Sequence, residues 1–209
     1  MIIPVFSFVL VPLIDKLIGR DTENFSEETY KKLEKNQIYN LLLCFLFFGV
    51  LGSLYFSLLV FTQYQLSLYE ALGLIFSLGL VTGGMGITLA HELGHRKEKR
   101  YQFMAKILLV HVGYGHFFVE HNKGHHRNVS TERDPASSRF GESLYRFLPR
   151  TIIGSYKSAF QLGYFDRREK VFWKNETIIL TLMTAFLGVA FTFLGGEKGL
   201  ILFFTQAGL

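Results

Sequence analysis

"LLLCFLFFGVLGSLYFSLLVF", residues 41–61, is a run of apolar and small uncharged residues with no break in it. A helix needs about 20 predominantly apolar residues to cross the hydrocarbon core of a bilayer. A helix buried in a soluble core is shorter and keeps a polar face. This run has no such face, so it reads as a membrane span. The pattern repeats: no charged residue occurs in 36–69, 71–90 or 177–196, or after Lys198. The 209-residue chain is therefore expected to fold as an all-α, polytopic transmembrane bundle, a single integral-membrane domain over 1–209.

Charge gives the expected orientation. Of the 22 Lys and Arg residues, five lie in 16–35, five in 96–106 and eleven in 123–174, leaving only Lys198 elsewhere. Basic connections stay on the cytoplasmic side, so 14–37 and 91–176 are expected to face the cytoplasm, and the short links near 62–70 and 195–199 the opposite side. The net charge of +5 then reports topology, and no aromatic-interleaved basic run points to nucleic acid. The lone Cys44, inside an apolar run, offers neither a disulfide nor a thiolate metal site. The opening "MIIPVFSFVLVPLIDK" lacks a basic leader and reads as the tail of a span, while "GLILFFTQAGL" stops inside an apolar run, so both termini read as cut.

Between the spans, "SEETYKKLEK" carries Glu27–Lys31 and Glu28–Lys32 at i, i+4, which predicts a short surface helix. "GLVTGGMGITLA", 79–90, holds four glycines, and small residues let helices approach closely in a bilayer. Residues 107–119, "ILLVHVGYGHFFV", make about 20 Å of helix, too short to cross. They are expected to be re-entrant or to lie along the bundle end. Residues 127–176, with Pro135, Gly141 and Pro149, read as a polar cytoplasmic region. Residues 177–194 span again, and 200–209 begin another span.

The chemistry lies in the histidines. Five of the seven fall in "HELGH", 91–95, and "EHNKGHH", 120–126. His91 and His95 are four apart, so on a helix both rings leave one face. His121 and His125 share the same spacing, and His126 is turned about 100° from His125. "HELGH" also fits the H-E-x-x-H zinc-protease pattern with Glu92 as general base. A catalytic zinc, however, takes three protein ligands, and here His91, His95, His121, His125 and His126 offer five. Asp134 and Asp166, the acidic candidates for a later ligand, both fall in polar sequence. Five imidazoles without a cysteine cluster suit two nitrogen-ligated metals with open positions, where iron binds dioxygen. A metal transporter would place its ligands near the bilayer midplane, away from flanking Lys and Arg. Glu92, Glu120 and Asp134 are candidates to hold a ligand imidazole by its other N–H, a surface carboxylate being the plainer reading. His111 and His116, isolated in apolar sequence, read as hydrogen-bonded structural residues. Asp134 and Arg139 of "DPASSR" read as organisers of the loop over the metals, or as solvated loop residues.

"HELGHRKEKR" and "MAKILLVHVGYGHFFVEHNKGHHRNVSTERDPASSRFGESLYRF", 104–147, together resemble the membrane alkane 1-monooxygenases (alkane omega-hydroxylases). These belong to the histidine-rich di-iron superfamily that includes the fatty acid desaturases. The likeness is dense over 85–147 and looser on either side. It implies two non-haem iron ions (Fe2+/Fe3+) held by His91, His95, His121, His125 and His126, with no further catalytic side chain identified. It implies terminal hydroxylation of alkanes taken from the bilayer, with O2 and electrons from rubredoxin and its reductase. It also implies the inner (cytoplasmic) membrane of a bacterium. A fatty acid desaturase or another hydroxylase of the superfamily is the neighbouring alternative, and a membrane zinc metalloprotease the more distant one. The family's later N-Y-x-E-H-Y-G and H-x-x-H-H runs are missing here. The chain therefore reads as about half of such an enzyme, and this portion alone is not expected to hydroxylate alkanes.

Overall fold

The computed structural model describes residues 2–19, 24, 26–34, 36–165 and 172–208, and among these there is helix and no strand. In chain order the helices are α1 (2–18), α2 (Glu27–Glu34), α3 (Gln37–Gln63), α4 (Leu68–Gly94), α5 (Lys99–His111), α6 (116–128), α7 (Leu144–Phe165) and α8 (Glu176–Ala207). Of the described helices, α3, α4 and α8 are long and apolar enough to cross a membrane. Asp166 lies outside the described residues.

Each start has a local cause. Asn36 and Asn175 cap α3 and α8 by accepting the N–H of the residue two positions on, and Ser67 and Glu70 form a reciprocal capping box at α4. The surface helix α2 carries both expected ion pairs, Lys31–Glu27 at 3.8 Å and Lys32–Glu28 at 2.8 Å.

Where the glycines of α4 were expected to draw helices together, only part of the run does so. A Cβ on Gly86 would stand 3.3 Å from Val50 of α3, whereas Gly83 and Gly84 have nothing within 4 Å. The close approach is confined to one face. The 107–119 stretch does not run as one helix: α5 ends at His111, Gly113 turns with φ +66°, and α6 restarts at His116.

α8 reverses direction inside its range. Gly196 has φ +59°, and the rings of Phe191 and Phe203 stand 5.1 Å apart. In a continuous helix those residues would be about 18 Å apart. The expected link at 195–199 thus joins two antiparallel segments. Gly199 packs on the Phe191 carbonyl, and a Cβ there would overlap it.

The region 127–176, read from the sequence as polar, contains the 22-residue α7 with Pro149 inside it. Proline normally counts against a helix interior, since it removes one hydrogen bond and crowds the preceding turn. Here Arg150 compensates. It donates to both Glu142 oxygens at 2.6 Å and to the carbonyls of Pro135 and Ser137 at 3.1 and 2.9 Å.

The core divides in two. One cluster, including Leu89, Leu93, Leu109, Phe118 and Val119, lies among α4, α5 and α6, with half-buried Cys44 packed on it. The other, Leu54, Leu58, Leu78, Phe191, Leu202 and Phe203, joins α3, α4 and α8. A buried polar chain links the spans: Thr82 donates to Gln206 at 2.7 Å, and Gln206 donates to the His111 carbonyl at 2.8 Å. His111 donates from Nδ1 to the Ile107 carbonyl at 2.7 Å, so its Nε2 accepts from Tyr55 at 3.0 Å. His111 is thus the hydrogen-bonded structural residue its sequence setting suggested.

Candidate metal centre

The histidines meet where α4 ends and α6 begins. His91 lies in the last turn of α4 and His95 just past Gly94, the final residue of that helix. Their Nε2 atoms are 3.2 Å apart. His121 brings its own Nε2 to 3.2 Å from that of His95, and His126 comes to 3.0 Å from His121. Among the described residues, His91, His95 and His121 form a group whose donor atoms all lie within 4.8 Å of one another.

The pairing within "EHNKGHH" differs from the i, i+4 expectation. Residues 121–125 form a π-helical turn, and the N–H of His126 bonds to the carbonyl of His121. Such a wide turn sets residue i+5 over residue i, so His126 joins the Nε2 group. His125 instead stacks on His121 with centroids 5.3 Å apart and donates from Nδ1 to Asp134 at 2.8 Å.

The neighbouring carboxylates separate clearly. Asp134 is buried, and it also accepts from Ser137 Oγ at 2.5 Å and from the Ala136 N–H at 2.9 Å. Burial pushes its carboxyl up, but the bonds from Ser137, Ala136 and His125 outweigh that and hold it below the usual range. Glu120, 2% exposed, folds over Gly124, where any Cβ would collide with both its oxygens. The glycine of the motif is the space that carboxyl occupies. Burial foremost, together with the charge of Asp134, raises the Glu120 carboxyl above its ordinary value. Glu92 does not turn toward the rings, because it sits on the outer face of α4 and pairs with Arg96 one turn on, at 3.4 Å. That is poor placement for the general base of a zinc protease.

Burial, reinforced by His91, His126, His95 and His125, brings His121 down to about 3. Burial and the rings of His91 and His126 also lower His95. Both imidazoles are therefore neutral near pH 7, with lone pairs available. Two nitrogens each about 2.1 Å from a shared metal, at roughly a right angle, stand about 3.0 Å apart. The spacings here match that, and the all-imidazole set with one carboxylate-oriented ring fits a nitrogen-ligated metal.

Sequence reasoning missed Arg150 and Glu142, which clamp the 134–142 loop; the only available signal was a Glu and an Arg eight apart across a turn. Arg139, read as a loop organiser or a solvated loop residue, gives its backbone N–H to Glu142 at 3.0 Å and accepts the Glu142 N–H on its carbonyl at 2.9 Å. His116 does not join the cluster, and its Nε2 is buried without a protein partner.

The geometry agrees with what the chain resembles. Residues 66–207 match the family described as fatty acid desaturase. An alkane 1-monooxygenase of Pseudomonas putida is 41% identical over 195 residues, covering 86% of this chain and 47% of that protein. Alkane 1-monooxygenase 1 of Alcanivorax borkumensis is 42% identical over 185 residues, covering 87% and 46%. An alkane 1-monooxygenase of Ectopseudomonas oleovorans is 40% identical over 199 residues, covering 91% and 48%. The chain spans about half the length of these curated relatives.

Proposed function

This chain belongs to the fatty acid desaturase family, and from that membership we propose that it is part of a membrane non-haem di-iron monooxygenase converting alkanes to primary alcohols. The observation that carries the reading is the convergence of four imidazole Nε2 atoms at 3.0–3.2 Å, with a fifth ring tied to Asp134. The likeness to alkane 1-monooxygenases supports that substrate class over desaturation or proteolysis.

When bound, two iron ions supply the dioxygen chemistry: with two electrons and two protons, one oxygen atom enters a terminal C–H bond and the other leaves as water. His91, His95, His121, His125 and His126 would hold them. Asp134 fixes the tautomer of His125 by accepting its Nδ1–H, which leaves Nε2 as the donor atom. Phe117, stacked on His121 at 4.7 Å, covers a face of that ring and fixes its orientation. Glu120 sets the close passage of the chain at Gly124 and, through it, the π turn that presents His126.

The substrate reaches the site from the bilayer, into which alkanes partition. Rubredoxin, supplied by its reductase, is the proposed electron donor, steered as an acidic carrier to the basic segments 96–106 and 123–174. The same proposal sets the protein in the inner membrane of a bacterium with the histidines on the cytoplasmic side, a reading supported by the basic segments that flank them. The test is metal analysis, alongside conversion of octane by cells supplied with rubredoxin and its reductase, of this chain and of a version extended through the family's later histidine runs. Two irons per protein and 1-octanol are expected of the extended version and no alcohol of this chain alone; one zinc, or iron without alcohol, in the extended version refutes the proposal.

A further inference from the structure

His116 stands on the same helix as His121 but belongs to a different environment. Its neighbour Phe117 faces the metal histidines, and one residue is about 100° of turn. The His116 ring instead meets Tyr114 and Tyr156, edge to face, at 4.7 and 5.2 Å. Only 6% of the residue is exposed, and its Nε2 has no protein partner. A buried polar atom in that position is destabilising unless something bonds to it.

The imidazole borders a cavity of about 410 Å³ walled by Ile152, Ile153 and Tyr156 of α7 and Thr181 and Thr184 of α8. That volume lies within the range of small-molecule sites, about 300–1,000 Å³. The wall hydroxyls are already engaged. Thr184 bonds to the carbonyls of Val110 and Leu180, Thr181 to the carbonyl of Thr177, and the Tyr156 hydroxyl to that of Thr181. His116 is left as the polar group able to orient a ligand from within, and Lys157 lies on the lining as an exposed residue.

The surroundings indicate what enters. Leu148, Ile152 and Tyr156 form an exposed apolar stripe at successive turns of α7, with Arg146 and Lys157 beside it. A helix of that kind lies in the membrane interface, so the cavity between it and α8 opens toward acyl chains. An alkane has nothing to offer His116. A carboxylate would find its cationic partner in Lys157 on the exposed lining, away from the buried His116 ring. A hydroxyl can donate to or accept from a neutral ring.

We propose that this cavity is a second binding site, separate from the metal histidines, that holds a long-chain primary alcohol with its hydroxyl on the His116 imidazole and its chain running out between α7 and α8. That this alcohol is the protein's own product rests on the reading of the metal centre above; the binding site does not.

The test is photoaffinity labelling of the purified protein in detergent by a 1-dodecanol analogue carrying a diazirine in its chain. Label is expected on the segments containing Ile152, Ile153 and Thr184, competed at least tenfold better by 1-dodecanol than by dodecane or dodecanoate. H116F should lower labelling at least tenfold, and H116Q, which keeps a hydrogen-bonding end, should stay within about threefold of the parent. Labelling that survives H116F, or that dodecane or dodecanoate competes equally well, overturns the site. So does labelling that disappears when a chelator strips metal, since the alcohol would then be bound at the metal centre. Should both variants fail to fold, the competition on the parent protein decides alone. Labelling that persists in a protein found to carry zinc would sustain this site while removing the reading of the metal centre.

Discussion

Asp134 shows how one buried carboxylate couples a loop to the histidines. It receives three bonds, from His125, Ser137 and Ala136, so the "DPASSR" turn and the orientation of the His125 ring are one structure. A carboxylate on the far nitrogen of a ligand imidazole is typically worth 10- to 100-fold in metal affinity. D134A is therefore expected to weaken metal retention about 10- to 100-fold, with D134N, which can still accept from Nδ1 but carries no charge, intermediate. Challenge of metal-loaded protein with graded chelator measures this, and retention equal to the parent's in D134A would show that Asp134 does not position His125. The pairing of His91 with His95 was legible in the sequence, because both follow from helical period alone. That His126 would bring its Nε2 to that of His121, while His125 stacks on the ring, was not, because an i→i+5 turn leaves no periodic signature. Nor could sequence separate Glu92, beside His91, from Asp134, eight residues past His126: only the fold turns Glu92 toward Arg96 and buries Asp134 beneath His125.

At the scale of elements, the apolar runs spoke clearly and the polar stretch did not. Residues 41–61 and 71–90 became α3 and α4 because unbroken hydrophobicity of that length has few other solutions. The reversal in α8 was also legible, through the Gly-Gly-Glu-Lys interruption at 195–198. By contrast, α7 was hidden by Pro149 and by its basic residues, and the contacts of Arg150 that offset the proline are tertiary. The reversal depends on backbones meeting where a side chain will not fit. Helix association in lipid relies on such close packing rather than on the hydrophobic effect. G199A inserts a methyl where the Phe191 carbonyl lies, and overpacking of this kind costs about 1–3 kcal/mol. The expected result is a lower midpoint of thermal unfolding in detergent for G199A, with G84A, whose Cβ meets nothing, unchanged or slightly stabilised. Equal midpoints for G199A and the parent would mean that the two arms of α8 do not pack as described.

The whole molecule has two unlike ends. At one, Lys106 pairs with Glu176 at 2.6 Å, and the histidines, the Asp134 loop and the basic helix α7 gather beside the start of α3 and the end of α4. At the other, the tight turn after α3 and the reversal in α8 come together, with Gly195 against Thr62. Between them the spans present large exposed apolar side chains such as Phe45, Phe48, Phe186 and Phe193. An integral membrane protein has this form: an apolar belt between two polar ends. Which end faces the cytoplasm is a matter of charge, since short basic connections resist translocation. The described basic residues of 96–106 and 123–165 lie at the histidine end, while the connection at 64–67 carries no charge. The expectation is that Ser138 is reached from the cytoplasm and the 64–67 connection from the opposite side. Ser67 caps α4, so the exposed neighbour Gln65 is the better reporter. In a C44A background, Q65C in intact cells should react with a membrane-impermeant maleimide. S138C should react only after permeabilisation or in inverted vesicles. Both positions reacting from one side would contradict a membrane-crossing α4. The opposite pattern, S138C labelled from outside, would keep the fold, invert it in the membrane and move the histidines away from any soluble electron donor in the cytoplasm.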